Sequence, residues 1–222
     1  MDPEDKKRLS AEKAHEIIKP ELKKDTVLGI GTGSTTNYFI DLLKSTKLNI
    51  KGIICSSNAS KERVKNSGID LLELNEVHQI DYYIDGADEF NSRKELIKGG
   101  GGAHTKEKIL ANSSKTFICI VDDTKFSDVL GSFPLPIEVI ELARSAISRK
   151  LMVMGGRPVW RKGFITDNGN QIIDVHNLDL KIPYETEQLI NNIPGVVENG
   201  IFASRTADII LKSTDSKVEE IV

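Results

Sequence analysis

Three carboxylates, Asp85, Asp88 and Glu89, fall within the five residues Asp85-Gly86-Ala87-Asp88-Glu89, directly after the apolar run Tyr82-Tyr83-Ile84. Lys98 then opens a run of four glycines, Gly99 to Gly102, and Glu107 follows in a helical stretch. Acids at a strand end, an amine on a glycine loop and a carboxylate on the next helix are the groups that move protons on a small polar substrate. Clustered acids repel and burial disfavours their charged forms, so members of such a set can hold a proton near neutral pH. Consecutive glycines cost backbone entropy and contribute no packing. A fold tolerates them where the backbone needs positive φ, or where a ligand lies against bare N–H groups. The sequence predicts a helix from Ala103 to Asn112, which sets Glu107 close to the positive end of its dipole. Taken singly, a glycine run is a loop and DGADE a turn with solvated acids. Their succession, at a strand end and a helix start, points to a site.

A second feature lies upstream. Thr26-Val27-Leu28-Gly29-Ile30 reads as a buried strand that runs straight into Gly31-Thr32-Gly33-Ser34-Thr35-Thr36, ahead of the helical pattern Tyr38, Phe39, Leu42, Leu43. Strand, glycine-rich turn and helix present free N–H groups and a positive dipole end to an anion, and the hydroxyls add donors. The run is not a dinucleotide fingerprint, because Thr36 takes the third glycine position, nor a Walker A loop, since no Gly-Lys-Ser/Thr follows. A single phosphate suits it better. Lys125, in Asp122-Asp123-Thr124-Lys125 after the apolar strand Thr116 to Val121, belongs with these groups on the same strand-end logic. His104 reads as a capping or surface residue, His15, His78 and His176 as structural, and Trp160 as a partly buried anchor.

The elements that must position these groups alternate. A helix from Pro3 to Lys19 stops at Pro20. Strands follow at Ile50–Cys55, Asp70–Leu74 and Ile80–Ile84, with a helix from Ala59 to Asn66. Alternating strands and helices predict an α/β, Rossmann-like, doubly wound and mostly parallel sheet. Ligands of such sheets lie off the carboxyl ends of the strands, and every feature named above follows one. The pattern changes near Gly131. Phe133 to Ile140 reads as extended, and a helix runs from Glu141 to about Met154 with Leu142, Ala146 and Leu151 inward. Strands at Pro158–Trp160 and Ile172–Val175 flank the turn Asp167-Asn168-Gly169-Asn170. A helix from Tyr184 to Asn191 and short strands to Ala203 complete a small α+β, ferredoxin-like lid. The expected organisation is a catalytic domain over 1–130 plus 206–222, to which the strand Ala207–Leu211 returns, and a lid and oligomerisation domain over 131–205.

The whole chain narrows the function classes. Its 222 residues are 39% hydrophobic and 28% charged, the balance of a globular protein with a real core. A net charge of −3 and a pI of about 5.9 give no sign of a nucleic-acid surface, and no nucleic-acid partner is expected. Cys55 and Cys119 sit in apolar runs as buried strand thiols. No Cys/His cluster offers a zinc site, and no apolar run approaches membrane-spanning length. The charged N-terminus lacks a signal-peptide core, so the expected location is cytoplasmic.

GIGTGST, DGADE, KGGGGAHTKEKI, VDDTKFSD, FPLPIEV, GGRP, TDNGN and PGVVENGIF occur in this order across nearly the whole chain. Together they resemble the ribose-5-phosphate isomerase A family. The resemblance implies an aldose–ketose isomerase of the pentose phosphate pathway, which interconverts ribose 5-phosphate and ribulose 5-phosphate without metal or organic cofactor. It implies substrate contacts at Thr32, Gly33, Ser34 and Thr35, at Asp85, Gly86, Ala87 and Asp88, at Lys98, Gly99, Gly100 and Gly101, and at Lys125. The catalytic base falls on Glu107, with Asp85, Asp88 and Lys98 as its catalytic companions, and an N-terminal phosphate-contacting lysine falls on Lys7. Beside the base, His104 and Lys106 stand where the family commonly has leucine and arginine. Members are usually homodimers or dimers of dimers. A non-catalytic sugar-phosphate sensor is the rival reading. It would keep the phosphate turn without base, acid and lysine together, and would carry a helix-turn-helix for which the first helix leaves no room. An amino-sugar phosphate isomerase or a CoA transferase would want a different acid–base layout or a CoA site.

Overall fold

A computed structural model describes residues 1–46, 48–65 and 67–222. In chain order its elements begin with α1 (Pro3–Ile18), β1 (Val27–Ile30), α2 (Ser34–Ser45), β2 (Gly52–Cys55), α3 (Asn58–Val64) and β3 (Ile80–Asp85). Two short strands, β4 (Glu89–Phe90) and β5 (Leu96–Ile97), precede α4 (His104–Asn112) and β6 (Ser114–Asp122). Then come β7 (Leu135–Val139), α5 (Arg144–Val153), β8 (Arg157–Trp160), β9 (Gln171–His176) and α6 (Pro183–Asn191). The chain closes with β10 (Val196–Asn199), β11 (Ile201–Phe202), β12 (Ile209–Ser213) and β13 (Val218–Ile221). These elements form two compact units, one of 1–86, 106–125 and 207–222, the other of 87–105 and 126–206.

The first unit is built on a six-stranded sheet in the order β13-β12-β6-β3-β1-β2. Its neighbours are parallel except the terminal pair β12–β13. β1 and β2 are buried at every position, which is why they read as continuous apolar runs instead of alternating ones. One face of the sheet gives Leu28, Ile30, Ile53, Cys55, Ile84, Ile118 and Ile120 to a core shared with Ala11, Ala14 and Ile18 of α1 and Phe39, Ile40 and Leu43 of α2. The alternate residues Tyr83 and Phe117 meet on the other face, ring centroids 5.1 Å apart. Burial pushes the Cys55 thiol up to about 12, so it behaves as an apolar residue. No helix among the described residues is long and apolar enough to cross a membrane.

The second unit carries a four-stranded antiparallel sheet in the order β10-β7-β9-β8. With α5 after β7 and α6 after β9, this is the β-α-β-β-α-β arrangement expected of a ferredoxin-like unit. A three-stranded sheet, β11-β5-β4, accompanies it. Residues 87–105, expected within the first domain, pack with this unit because β4 and β5 pair with β11 of its C-terminal part.

Two local expectations fail for physical reasons. Asp70–Leu74 is not a strand but a single bridge between Leu71 and Ile53. Glu73 and Glu76 form a reciprocal capping box that turns the chain into a 3-10 turn, Leu74–Glu76, before more pairs can form. The helix expected from Glu141 starts instead as a 3-10 turn, Glu141–Ala143, and becomes α-helical at Arg144. The tighter turn shifts the inward face, so Ile147 and Leu151 are buried while Leu142 is 95% exposed and Ala146 is also exposed. The helix expected over Ala59–Asn66 runs from Asn58 to Val64, and Asn66 lies outside the described residues. The C-terminal strand β13 was not expected.

Candidate active site

In the first unit the site is assembled at the carboxyl ends of β1 and β3. The chain leaves β1 at Ile30, and the Gly31 N–H donates to the Ile84 carbonyl at 2.9 Å. A Cβ on Gly31 would fall 1.8 Å from Cγ of Asp85, so only glycine allows that carboxylate in. Asp85 is fully buried and accepts from the Thr32 N–H at 3.0 Å, the Gly86 N–H at 2.7 Å and the Thr36 hydroxyl at 3.4 Å. The Tyr83 phenol donates to its other oxygen. Burial, then the negative charges of Asp85 and Glu107, raise the Tyr83 phenol well above its usual 10, so it stays a donor. Both carboxylates therefore act on one buried phenol.

The turn after β1 is fixed by hydroxyls. The Thr32 side chain lies 2.8 Å from both the Ser56 and Ser57 oxygens, and Ser60 donates to the Gly31 carbonyl at 2.6 Å. Gly33 caps α2 at φ 123° and so brings no side chain to its N-terminus. That leaves the helix's first N–H groups for an anion. Ser34 is exposed and Thr35 half-buried there, whereas Thr36 is buried and turned to Asp85. Glu107 lies in the first turn of α4, 3% exposed. Lys125 is half-buried in the 3-10 turn Asp123–Lys125 after β6. Lys7 is bound to Glu4 at 2.6 Å. Its neighbour Lys6 is the more buried lysine, 2.9 Å from Asp123 and from Asp215, and these two acids raise its pKa.

In the second unit the chain from Ala87 carries the other residues named from sequence. Ala87 and Asp88 are half-buried, and Asp88 accepts the Gly100 N–H at 2.7 Å. Lys98 is 2% exposed; its N–H donates to the Gly200 carbonyl at 2.9 Å, and its ammonium stands 5.7 Å from the centre of the Phe202 ring. Gly99 at φ 106° and Gly102 at φ 76° bound a tight turn, closed by the Gly102 N–H on the Gly99 carbonyl at 2.9 Å. A Cβ on Gly102 would fall 2.3 Å from the Phe164 ring. His104 is fully buried, its Nε2 3.2 Å from the Glu198 carbonyl, so it is a packed residue and not a surface cap.

Three further groups have roles that the sequence does not reveal: Glu89 is grouped there with the acids that move protons, and Glu138 and Arg161 are not singled out. Glu89, the third acid of DGADE, is a structural clamp that accepts the N–H groups of Gly131, Ser132 and Phe133 at 2.9, 3.2 and 3.1 Å. Glu138 is buried, which opposes its charge, yet hydrogen bonds from Thr105, Asn170, Asn168 and Thr166 prevail and hold its pKa below the usual value. Arg161 donates to the carbonyls of Gly99 and Gly100 at 3.2 and 3.1 Å and pairs with Asp174 at 2.5 and 2.8 Å. Spacing gives no signal for Arg161, because its partners lie 61 and 62 residues away in sequence. Among the described residues no cluster of His, Cys, Asp or Glu is arranged to hold a metal ion.

Comparison with known proteins gives one family. Residues 52–216 match the family model for ribose 5-phosphate isomerase A (phosphoriboisomerase A). Ribose 5 phosphate isomerase A from Neisseria gonorrhoeae is 46% identical, covers 99% of this chain and 97% of its own, and superposes with a TM-score of 0.95. The Methanocaldococcus jannaschii enzyme is 39% identical over 99% of both chains, with a TM-score of 0.90. A D-ribose-5-phosphate isomerase in complex with phospho-erythronic acid is 38% identical over 99% of both chains, with a TM-score of 0.94.

Proposed function

The chain belongs to the ribose 5-phosphate isomerase A family, and from that premise we propose how its residues interconvert the two pentose phosphates. Ribose 5-phosphate is mostly cyclic, so the ring opens first. Asp88 takes the proton of the C1 hydroxyl and returns it to the ring oxygen as the C1–O4 bond breaks. Asp88 suits this step better than Asp85, because it is half-buried while Asp85 is sealed in by Thr32, Thr36, Gly86 and Tyr83. Asp85 is the anchor of the phosphate turn. Glu107 next removes the C2 proton and delivers it to C1, while the hydroxyl proton passes from O2 to O1.

The intermediate is an enediolate, and its charge needs donors in place beforehand. Lys98 and the Gly101 N–H of the glycine loop supply them, each worth about 2.7–4 kcal/mol, while the Gly100 N–H orients Asp88. The open N-terminus of α2, or Lys125, holds the phosphate, so that binding energy remote from the reaction places C1 and C2. The relative that carries phospho-erythronic acid supports this division. Such a molecule carries a phosphate and a planar, negatively charged carboxylate, which shares the planarity and charge of an enediolate.

The observation that carries the reading is Glu107, a carboxylate 3% exposed in the first turn of a helix, close enough to bear on the Tyr83 phenol. The test is Glu107→Gln. It should keep the fold and the affinity for ribose 5-phosphate and lower kcat by about 10²–10⁴-fold. Near-normal turnover removes Glu107 from this role. The reading extends to turnover without a metal ion, checked by full activity in EDTA, and to a cytoplasmic homodimer or homotetramer. An apolar groove of about 580 Å³ between α5 and α6, lined by Ala146, Val153, Met154, Leu189 and Ile193, supports the oligomer.

A further inference from the structure

We propose that Arg161, held by Asp174, is a positioning residue for this reaction: it locks two peptide groups of the glycine loop so that their N–H groups face away from it. A trans peptide is planar, with its C=O and N–H pointing in opposite directions. Arg161 takes the Gly99 carbonyl at 3.2 Å, and the N–H of the same peptide, that of Gly100, reaches the Asp88 carboxylate at 2.7 Å. It also takes the Gly100 carbonyl at 3.1 Å, which turns the Gly101 N–H away from the guanidinium.

The loop needs such a lock. The Gly102 N–H bonds the Gly99 carbonyl across a four-residue turn. The positive-φ glycines of this turn are its ends, Gly99 and Gly102, and not its centre, which makes it type I. Type II differs by a flip of the central Gly100–Gly101 peptide and requires positive φ at the third residue. That residue is Gly101, which tolerates it freely. No side chain opposes the flip, so the hydrogen bond from Arg161 to the Gly100 carbonyl does. Asp174 engages Nε at 2.8 Å and Nη2 at 2.5 Å, leaving Nη1 for the two carbonyls. The Phe164 ring, 5.4 Å from the guanidinium carbon, fills the space beside Gly102 that a Cβ would need.

The inference rests on the reading of the Gly101 N–H as an enediolate donor and of Asp88, oriented by the Gly100 N–H, as the ring-opening acid–base group, and the test separates the two. Arg161→Met, Arg161→Lys and Asp174→Asn are compared with the parent for kcat, KM and inhibition by phospho-erythronic acid, with circular dichroism to confirm folding. Misaimed donors should lower kcat by about 10²-fold in Arg161→Met, leave KM within about 3-fold, and weaken the sugar acid in parallel with kcat/KM. Arg161→Lys, which reaches one carbonyl, should recover part of the loss. A folded Arg161→Met enzyme with parental kcat overturns the proposal, as does a loss confined to KM. If Arg161→Met does not fold, the same criteria apply to Arg161→Lys and Asp174→Asn. Glu107→Gln, run beside them, reports on the base alone: normal turnover there refutes the proton-transfer reading without touching the orientation of the loop.

Discussion

Asp85 and Asp88 are three residues apart, yet their surroundings give them different work. Ribulose 5-phosphate has no ring to open, so its C1 hydrogen can exchange with deuterium through Glu107 alone. Asp88→Asn should therefore slow isomerisation by about 10²-fold or more while C1 exchange, followed by NMR in D2O, continues; Glu107→Gln should stop both. Equal loss of exchange in the two variants would put Asp88 in the proton transfer itself. Asp85→Asn should instead cost stability, about 1–3 kcal/mol, because an amide cannot accept from the Thr32 and Gly86 N–H groups and the Tyr83 phenol together. Tyr83 adds a pH signature. Its pKa is raised on folding by burial and by the charges of Asp85 and Glu107, so the native state keeps a proton that the unfolded chain loses above about pH 10. The stability this contributes is complete below pH 10 and is lost as pH rises, by about 1.4 kcal/mol per unit until the folded pKa is reached. Urea unfolding of the parent and Tyr83→Phe from pH 9 to 11 should show the difference between them shrinking only above 10.

At the scale of elements, the turn from β1 into α2 separates two reasons for glycine. Gly33 has open space around it and φ 123°, so Gly33→Ala should cost only the backbone penalty, about 1–3 kcal/mol. Gly31→Ala drives a Cβ to 1.8 Å from Asp85 and must expel that carboxylate. It should lose the phosphate turn along with stability, read as a larger fall in melting temperature and a larger KM increase than Gly33→Ala shows. Melting temperatures and KM for the two variants check this, and equal effects would refute it. These elements were legible because parallel strands buried on both faces read as apolar runs, and because Gly31–Thr36 and Gly99–Gly102 break them at strand ends. The groups that hold them were not. Arg161 meets Gly99 and Gly100 only once β8 and β9 are paired, and Glu138 gathers Thr105, Thr166, Asn168 and Asn170 from separate segments. The phase of α5 was misread for a related reason: hydrophobicity placed Leu142 inward, but a 3-10 turn placed it outside.

For the whole molecule, the exposed apolar side chains need an explanation that the chain alone does not provide. Val153 is 89% exposed at the end of α5 and Leu189 61% exposed on α6, with Leu142 also outside. None is needed to fold the second unit, whose core is Ile147, Leu151, Ile173, Ile190 and their neighbours. Apolar groups left on two adjacent helices are expected to pack against another copy, and around a two-fold axis each is buried twice. Val153 and Leu189 from each of two copies make four side chains, which at about 1.5 kcal/mol or more each amount to about 6 kcal/mol, or four orders of magnitude in Kd. Sedimentation equilibrium of the parent at micromolar concentration should give a multiple of 24.6 kDa. The double variant Val153→Glu with Leu189→Glu should sediment as a folded monomer, because like charges then face each other across the axis without disturbing the core. A monomeric parent would remove the proposed oligomer. A double variant of unchanged mass would move the interface away from α5 and α6, leaving the groove to be explained by something other than a second copy.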